Sequence, residues 1–326
     1  MAPDGARIER ARLPADVALA ANRIAAHVRE TPLEYSPYFS EMCDASVWLK
    51  LENQQLTGSF KIRGAFNKLL TLDDEQRANG CVAASSGNHG AAVASAMQTL
   101  GVRGIVFVPE RTSTAKVDAI RRAGAEIEFY GTDGLDTETH ARRYADEHGM
   151  VYLSPYNDAA VIAGQGTCGV EIARQLPDVD AVFVAVGGGG LIAGVGAFLK
   201  SVRPGVRIVS CQPAASAVMT ESVKAGEILD LPSDTTLSDG TAGGIEPGAL
   251  TFALCRELID DFVIVSEAQI VDAMRLFIDA HHQLLEGAAG VALAGLLAAR
   301  TDYAGKTVAI VICGGNISRE TLRGVV

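Results

Sequence analysis

The sequence predicts an α/β fold in two lobes, each an open and mostly parallel sheet flanked by helices, and three observations lead there. Short apolar, β-branched runs alternate with helical segments along the chain, the pattern of strands covered on both faces. Glycine-rich turns directly follow several of these runs, where strand hands over to helix. At 326 residues the chain is too long for one small core, so two lobes with a cleft between them follow.

The elements follow in order. Val47-Trp48-Leu49-Lys50-Leu51 predicts a short strand, and a lysine-bearing helix then runs to about Leu70. Cys81-Val82-Ala83-Ala84 is a strand that leads through a Gly/Asn/His turn into an alanine-rich helix reaching about Leu100. Residues 104–108 form a strand ended by Pro109, which cannot donate to a ladder. A helix over residues 115–123 and a strand over 126–130 complete this local group. Further strands are expected over 181–186, 207–211 and 308–312, and the N-terminal helix joins them. The expected division is a large lobe of residues 1–51 and 152–326, with a small lobe of residues 52–151 closing over the cleft. No repeat and no low-complexity linker interrupts the pattern.

Composition narrows the function classes. Hydrophobic residues make up 48% and charged residues 21%, as in an ordinary globular protein. A net charge of -11 argues against nucleic acid or an anionic membrane as partner. Any bound phosphate must then be held by backbone donors and local dipoles. The N-terminus is polar and charged, without the apolar core of a signal peptide, and no apolar run is long enough to span a bilayer. Cys43, Cys81, Cys168, Cys211, Cys255 and Cys313 are scattered without CxxC spacing, which suits a reducing cytosol better than disulfides or a zinc site. His27, His140, His148, His281 and His282 have no ligand-like spacing and read as surface or packing residues.

Four motifs carry the chemistry. Ser59-Phe60-Lys61-Ile62-Arg63-Gly64-Ala65 puts a lysine at a helix start, just after Leu56-Thr57-Gly58. The positive end of the helix dipole disfavours the protonated amine there, which suits a nucleophile or Schiff-base partner; a solvated surface lysine is the alternative. Ser85-Ser86-Gly87-Asn88-His89-Gly90 lies between strand and helix and gathers hydroxyls and backbone N–H groups. Such a turn is a ready anion site, or simply an N-cap. Gly187-Gly188-Gly189-Gly190-Leu191-Ile192-Ala193-Gly194 also follows a buried strand. Four successive glycines lose much backbone entropy on folding, and close approach to a phosphate would justify them better than a flexible turn. Neither the Rossmann spacing nor the P-loop ending is present. Cys313-Gly314-Gly315-Asn316 ends the last strand, where ligands of open α/β sheets bind.

In this order the four motifs resemble the fold-type II (tryptophan synthase β-like) pyridoxal-phosphate enzymes, within the threonine/serine dehydratase and serine racemase branch. The resemblance runs from about Val17 to Asn316 and includes Pro155-Tyr156-Asn157, Gly164-Gln165-Gly166-Thr167, Cys255-Arg256-Glu257-Leu258-Ile259-Asp260-Asp261 and Glu286-Gly287-Ala288. It implies a catalytic domain only, without the C-terminal regulatory domain of isoleucine-sensitive threonine deaminases. It also implies roles for particular residues. Lys61 would bind pyridoxal 5′-phosphate covalently and then remove the substrate Cα proton. Phe60 would lie beside the cofactor ring, Asn88 would hydrogen-bond its 3′-oxygen, and Cys313 would face its ring nitrogen. Gly187, Gly188, Gly189, Gly190 and Leu191 would cradle the phosphate. Ser85, Ser86, Gly87 and His89 would hold the substrate carboxylate, with Ser86 on the cofactor face opposite Lys61. Gln165 would lie near substrate and phosphate.

The resemblance then implies β-elimination. A neutral thiol at Cys313 stabilises a ring N–H cation poorly, so less charge spreads into the ring than with an aspartate. A substrate that expels its β-hydroxyl as the proton leaves avoids that difficulty. The expected activity is dehydration and deamination of a small β-hydroxy amino acid, such as L-threonine or L-serine, to a 2-keto acid and ammonia. Racemisation on the same fold is the alternative, as Lys61 and Ser86 would supply proton donors on both faces. Serine racemases and some relatives bind a divalent cation after the strand matching 207–211, but Gln212 and Val218 stand here for its two carboxylates, so no metal site is expected. The segment Asp239-Gly240-Thr241-Ala242-Gly243-Gly244-Ile245-Glu246-Pro247-Gly248 would lie near the substrate, and its glycines leave more room than threonine needs. That keeps open 3-hydroxyaspartate, phenylserine or a hydroxyectoine-derived substrate. Glu246 could meet a cationic group, though a solvated loop carboxylate is the plainer reading. The expectation is a cytoplasmic lyase, a homodimer or higher oligomer, with a non-catalytic phosphate-ligand sensor as the reading from outside enzymology.

Overall fold

The computed structural model describes residues 11–326, so the first ten residues of the expected large lobe lie outside the described residues. Two sheets organise the rest. The strands are β1 (Leu33–Tyr35), β2 (Ser46–Lys50), β3 (Cys81–Ala84), β4 (Gly104–Val108), β5 (Glu126–Phe129), β6 (Val151–Tyr152), β7 (Ala181–Ala185), β8 (Arg207–Pro213), β9 (Asp261–Val265) and β10 (Thr307–Val311). Six of them form one sheet in the order β1-β2-β10-β7-β8-β9, and four form the other in the order β5-β4-β3-β6. β1 runs antiparallel to β2, and the other pairings are parallel.

The apolar pattern explains the layers. In β2, Val47 and Leu49 are buried opposite Val308 and Ile310 of β10, and all five residues of β7 are buried. A strand buried on both faces needs helices on both sides, and the helices Gly190–Val202 and Gly287–Ala299 supply them. The N-terminal helix Leu13–Ile24 places Leu13, Val17 and Ala20 on one stripe against Ile162, Ala193 and Leu254 of the large-sheet layer. A separate core built on Val106, Val93 and Phe66 underlies the small sheet.

The helix Lys61–Leu70 is shared between the two cores. Ile62, Ala65, Phe66 and Leu69 sink into the small-sheet core. Another side lies against the helix Ala159–Gln175, where a Cβ at Gly164 would come within 2.7 Å of the Arg63 carbonyl oxygen and the Gly64 Cα.

Sequence patterning does not predict β1, β6 and β9. β1 and β6 have three and two residues, too few for a period to register. β9 is an edge strand whose first four residues are only partly buried or exposed, so alternation does not mark it. It also extends β8 to Pro213, because Gln212 and Pro213 pair with Ile264 and Val265. β2, β10 and β7 are neighbours in the large sheet, and their carboxyl ends lead to the lysine, Cys313 and glycine motifs. β3 of the small sheet leads to the Ser85–Gly90 turn.

Candidate active site

Lys61 is the first residue of its helix, preceded by Phe60 in a helical conformation (φ -58°, ψ -21°) without a side-chain cap. This start is pinned from elsewhere in the chain. The Phe60 N–H donates to the Cys313 carbonyl at 3.1 Å, and Ser59 bridges to Gly314. The Lys61 ammonium donates to the Pro155 carbonyl at 2.8 Å and lies 5.2 Å from the centre of the Phe60 ring. Burial lowers its pKa to about 8, while Cys313 and Glu286 pull the other way.

The Ser85–Gly90 turn closes on the same place. Its helix, Asn88–Leu100, has Gly87 as N-cap and no side-chain cap, so its first N–H groups have no side-chain acceptor. The Ser85 hydroxyl accepts instead from the Gly87 N–H at 3.2 Å. Ser85 and Ser86 are half-buried and Gly87 is exposed. Gly90 is required by packing, since a Cβ there would sit 2.1 Å from the Ser85 carbonyl oxygen. His89 is buried, and burial together with Lys61 lowers its pKa to about 3, so the ring is neutral. Its Nε2 lies 2.8 Å from the Leu153 carbonyl, which makes Nε2 the protonated nitrogen and leaves buried Nδ1 without a partner among the described residues. The ring's one donor is spent on Leu153, so an anion here would meet the His89 backbone N–H and not the imidazole.

Asn88 is held by Glu286 and Asn316, which stand in stretches singled out above but were given no role there. Its Nδ2 donates to both Glu286 carboxyl oxygens, at 2.8 and 2.9 Å, and its Oδ1 accepts from Asn316 Nδ2 at 2.7 Å. The Asn316 backbone N–H donates to the same carboxylate at 3.2 Å. Burial pushes the Glu286 carboxyl up to about 7, against the bonds from Asn88; Asp239 adds to the rise, while Asn316 and Lys61 oppose it. A signal for Glu286 exists in the sequence. It immediately precedes the helix Gly287–Ala299, which is apolar on every side and therefore buried, and carries the carboxyl inward with it.

The glycine run is explained here by protein packing. A Cβ at Gly188 would lie 2.3 Å from the Tyr156 ring, and one at Gly187 would lie 2.9 Å from Thr241 backbone atoms. Gly189 has φ +86° and is the N-cap of the helix Gly190–Val202, again without a side-chain cap. Leu191 turns its side chain into the large-sheet core, so only its backbone can face a ligand. Tyr156 therefore sits under the glycine turn, next to the carbonyl that holds Lys61, and its hydroxyl accepts from the Glu246 N–H at 2.9 Å.

Cys313 is buried, and burial together with Glu286 raises its thiol well above the ordinary value, so it is neutral. Gln165 is also buried: its Oε1 accepts from the Gly64 N–H at 3.1 Å, and its Nε2 has no partner among the described residues. Ser59 Oγ, two residues before Lys61, is a further buried atom without a partner among the described residues. Glu246 is not a solvated loop carboxylate: it pairs with Arg142 of the helix Gly134–His148 at 2.9 Å, and the other half of that guanidinium's pairing is Glu138 at 2.7 Å. The arginine that attracts it lies more than a hundred residues upstream, which local reading of the loop cannot supply. Gln212 accepts from the N–H and hydroxyl of Thr220, at 2.7 and 2.6 Å.

The family model described as pyridoxal-phosphate dependent enzyme matches residues 24–314. The chain is 42% identical over 305 residues to the catabolic L-threonine dehydratase TdcB of Escherichia coli (strain K12), covering 93% of this chain and 92% of that protein. It is 42% identical over 290 residues to the L-threonine ammonia-lyase of Thermotoga maritima, covering 89% and 72% respectively. Among solved structures, the processed form of threonine deaminase isoform 2 from Solanum lycopersicum superposes with a TM-score of 0.93 at 35% identity, covering 98% of this chain and 93% of that one. Maize serine racemase superposes with a TM-score of 0.89 at 33% identity, covering 95% of each chain.

Proposed function

The chain belongs to the pyridoxal-phosphate dependent enzyme family and is an ammonia-lyase of its threonine/serine dehydratase branch, and from that premise we propose how its residues divide the work. The reaction converts a small β-hydroxy amino acid, such as L-threonine or L-serine, into the 2-keto acid and ammonia. The observation that carries the reading is Lys61: a half-buried amine at a helix start, lowered to about 8, bonded to the Pro155 carbonyl and preceded by Ser59 and Phe60, which are tied to Gly314 and Cys313.

The residues present fit pyridoxal 5′-phosphate. Two helix N-termini without side-chain caps offer N–H groups to anions, one after the glycine run and one after Gly87. Buried Ser59 Oγ and Gln165 Nε2 have no partner among the described residues and can meet a polar ligand. When bound, the cofactor supplies an aldehyde for the substrate amine and a conjugated ring that acidifies the Cα–H.

Gly187 to Gly190 and the Leu191 N–H would hold the phosphate, with Phe60 beside the ring. The hydroxyls of Ser85 and Ser86 and the backbone N–H groups of Ser86, Gly87 and His89 would hold the substrate carboxylate. With a pKa lowered to about 8, Lys61 has an accessible neutral form; its Nζ would hold the aldehyde carbon until the substrate amine displaces it, and would then be free to take the Cα proton. Glu286 holds the Asn88 amide nitrogen through both carboxyl oxygens, and Asn88 would give one of its amide N–H groups to the ring's 3′-oxygen. The neutral Cys313 thiol would face the ring nitrogen, and a partner so weak favours elimination, in which the β-hydroxyl departs as the proton is taken. A homodimer or higher oligomer in the cytoplasm completes the reading; six free, buried cysteines suit a reducing compartment.

The test is an absorbance spectrum of the cofactor-loaded protein, before and after L-threonine, L-serine and L-threo-3-hydroxyaspartate, with keto acid and ammonia assayed together and Lys61→Ala as control. A band that Lys61→Ala lacks, with stoichiometric keto acid and ammonia, is the expected result. Inverted amino acid without keto acid would make the protein a racemase. Turnover by Lys61→Ala at the wild-type rate would overturn the assignment.

A further inference from the structure

Two residues beyond Lys61, the same helix carries Arg63, fully buried at 0% exposure. At 3.6 residues per turn the two side chains leave the helix about 200° apart, so Arg63 points away from the site. Its guanidinium is clamped by two carboxylates. Nε and Nη2 donate to Glu52 at 2.8 and 2.7 Å, and Nη1 and Nη2 donate to Glu171 at 2.6 and 2.9 Å. Nη1 also donates to the Thr167 hydroxyl at 3.2 Å. Lys50, also 0% exposed, balances the charge, donating to Glu171 at 2.6 Å and to the Thr31 carbonyl at 2.7 Å. Thr31 in turn donates its hydroxyl to Glu52 at 2.5 Å.

Such a network is a poor way to gain stability. Desolvating two cations and two anions offsets most of their attraction, and apolar residues of the same volume often do as well. Direction is what it offers. A planar fork bonded to a carboxylate on each side fixes both rotation about the helix axis and slide along it, which apolar contacts leave soft. The partners come from the end of β2, from the segment after it and from the helix Ala159–Gln175. The apolar side of the Lys61 helix belongs to the small-sheet core, and its start has no side-chain cap. The Arg63 clamp therefore registers this helix against the large-sheet layer.

We propose that Arg63, locked between Glu52 and Glu171 with Lys50 closing the charge, is a positioning residue that sets where Lys61 delivers its amine. This rests on the reading of Lys61 as the cofactor-bearing base. Misplacement of a reacting group by about 1 Å costs on the order of 100-fold in rate, so a clamp two residues from that group acts on turnover.

The experiment compares wild type, Arg63→Lys, Glu171→Gln and the surface control Arg203→Lys as cofactor-loaded proteins. It measures kcat and KM for L-threonine per bound cofactor, the pH dependence of the bound cofactor's absorbance, and the melting temperature. Arg63→Lys and Glu171→Gln are expected to keep cofactor, lose on the order of 10–100-fold in kcat with KM within about threefold, and shift the absorbance titration. Arg203→Lys is expected to match wild type. Should Arg63→Lys fail to fold, Glu171→Gln decides alone, since it keeps the shape and one acceptor. Lower melting temperatures with unchanged kcat and unchanged titration would reduce the network to a structural one and overturn the proposal. A wild type that binds no cofactor at Lys61 would overturn the functional reading, and this proposal with it.

Discussion

Glutamine at position 286 changes the charge under Asn88 while leaving the shape nearly intact, and its effect on stability has a definite sign. The Glu286 carboxyl rises from 4.5 to about 7 in the folded protein, because burial costs the charged form more than the bonds from Asn88 and Asn316 return. Between those values the folded protein keeps a proton that the unfolded chain has released. Stability from this group is therefore fully present below pH 4.5 and is lost as pH rises through 7. At about 1.4 kcal/mol per pH unit the loss is about 3 kcal/mol. Lys61 does not confuse the window: its folded value of about 8 lies below its ordinary 10.5, so it adds stability only as pH rises from 8 upward. The assay is urea unfolding of cofactor-free wild type and Glu286→Gln between pH 5 and 7.5. Wild type should lose on the order of 2–3 kcal/mol more across this range than the variant, which has no proton to release there. Parallel pH profiles for the two proteins would refute the reasoning, because they would mean that the carboxyl titrates in its ordinary range despite being buried.

Two further outcomes follow from the site. Gly188→Ala forces a Cβ into the Tyr156 ring, 2.3 Å away, so the ring or the turn must move. Overpacking of this kind costs about 1–3 kcal/mol, and cofactor affinity measured by fluorescence titration should fall at least about tenfold. Unchanged affinity would show that Tyr156 does not shape the glycine turn. Cys313→Ser keeps an uncharged group of similar shape in place of the thiol, so keto-acid production should stay within about threefold of wild type. Loss of activity with cofactor still bound would point to chemistry of the thiol itself.

Local chemistry made much of this protein legible in its sequence. The apolar runs at 81–84, 104–108 and 181–186 could be placed within a residue of β3, β4 and β7, because a strand buried on both faces leaves its mark in consecutive residues. The lysine, serine, glycine and cysteine turns were visible for a similar reason: each is contiguous and sits at a strand's carboxyl end. What tertiary structure alone decided is how these turns meet and which distant groups serve them. Asn88 and Glu286 are 198 positions apart, and Arg63 and Glu171 are 108. No local pattern encodes such a pair, since each partner is shaped by its own helix and the two meet only when the sheets are assembled. The same holds for Pro155, which contributes a backbone carbonyl that any residue would carry, and for the Glu246–Arg142 pair. The sequence by itself determined most of the strands, the cleft's motifs and the candidate amine. Folding determined the protonation of that amine and its neighbours, because burial and the charges that accompany it exist only in the assembled structure.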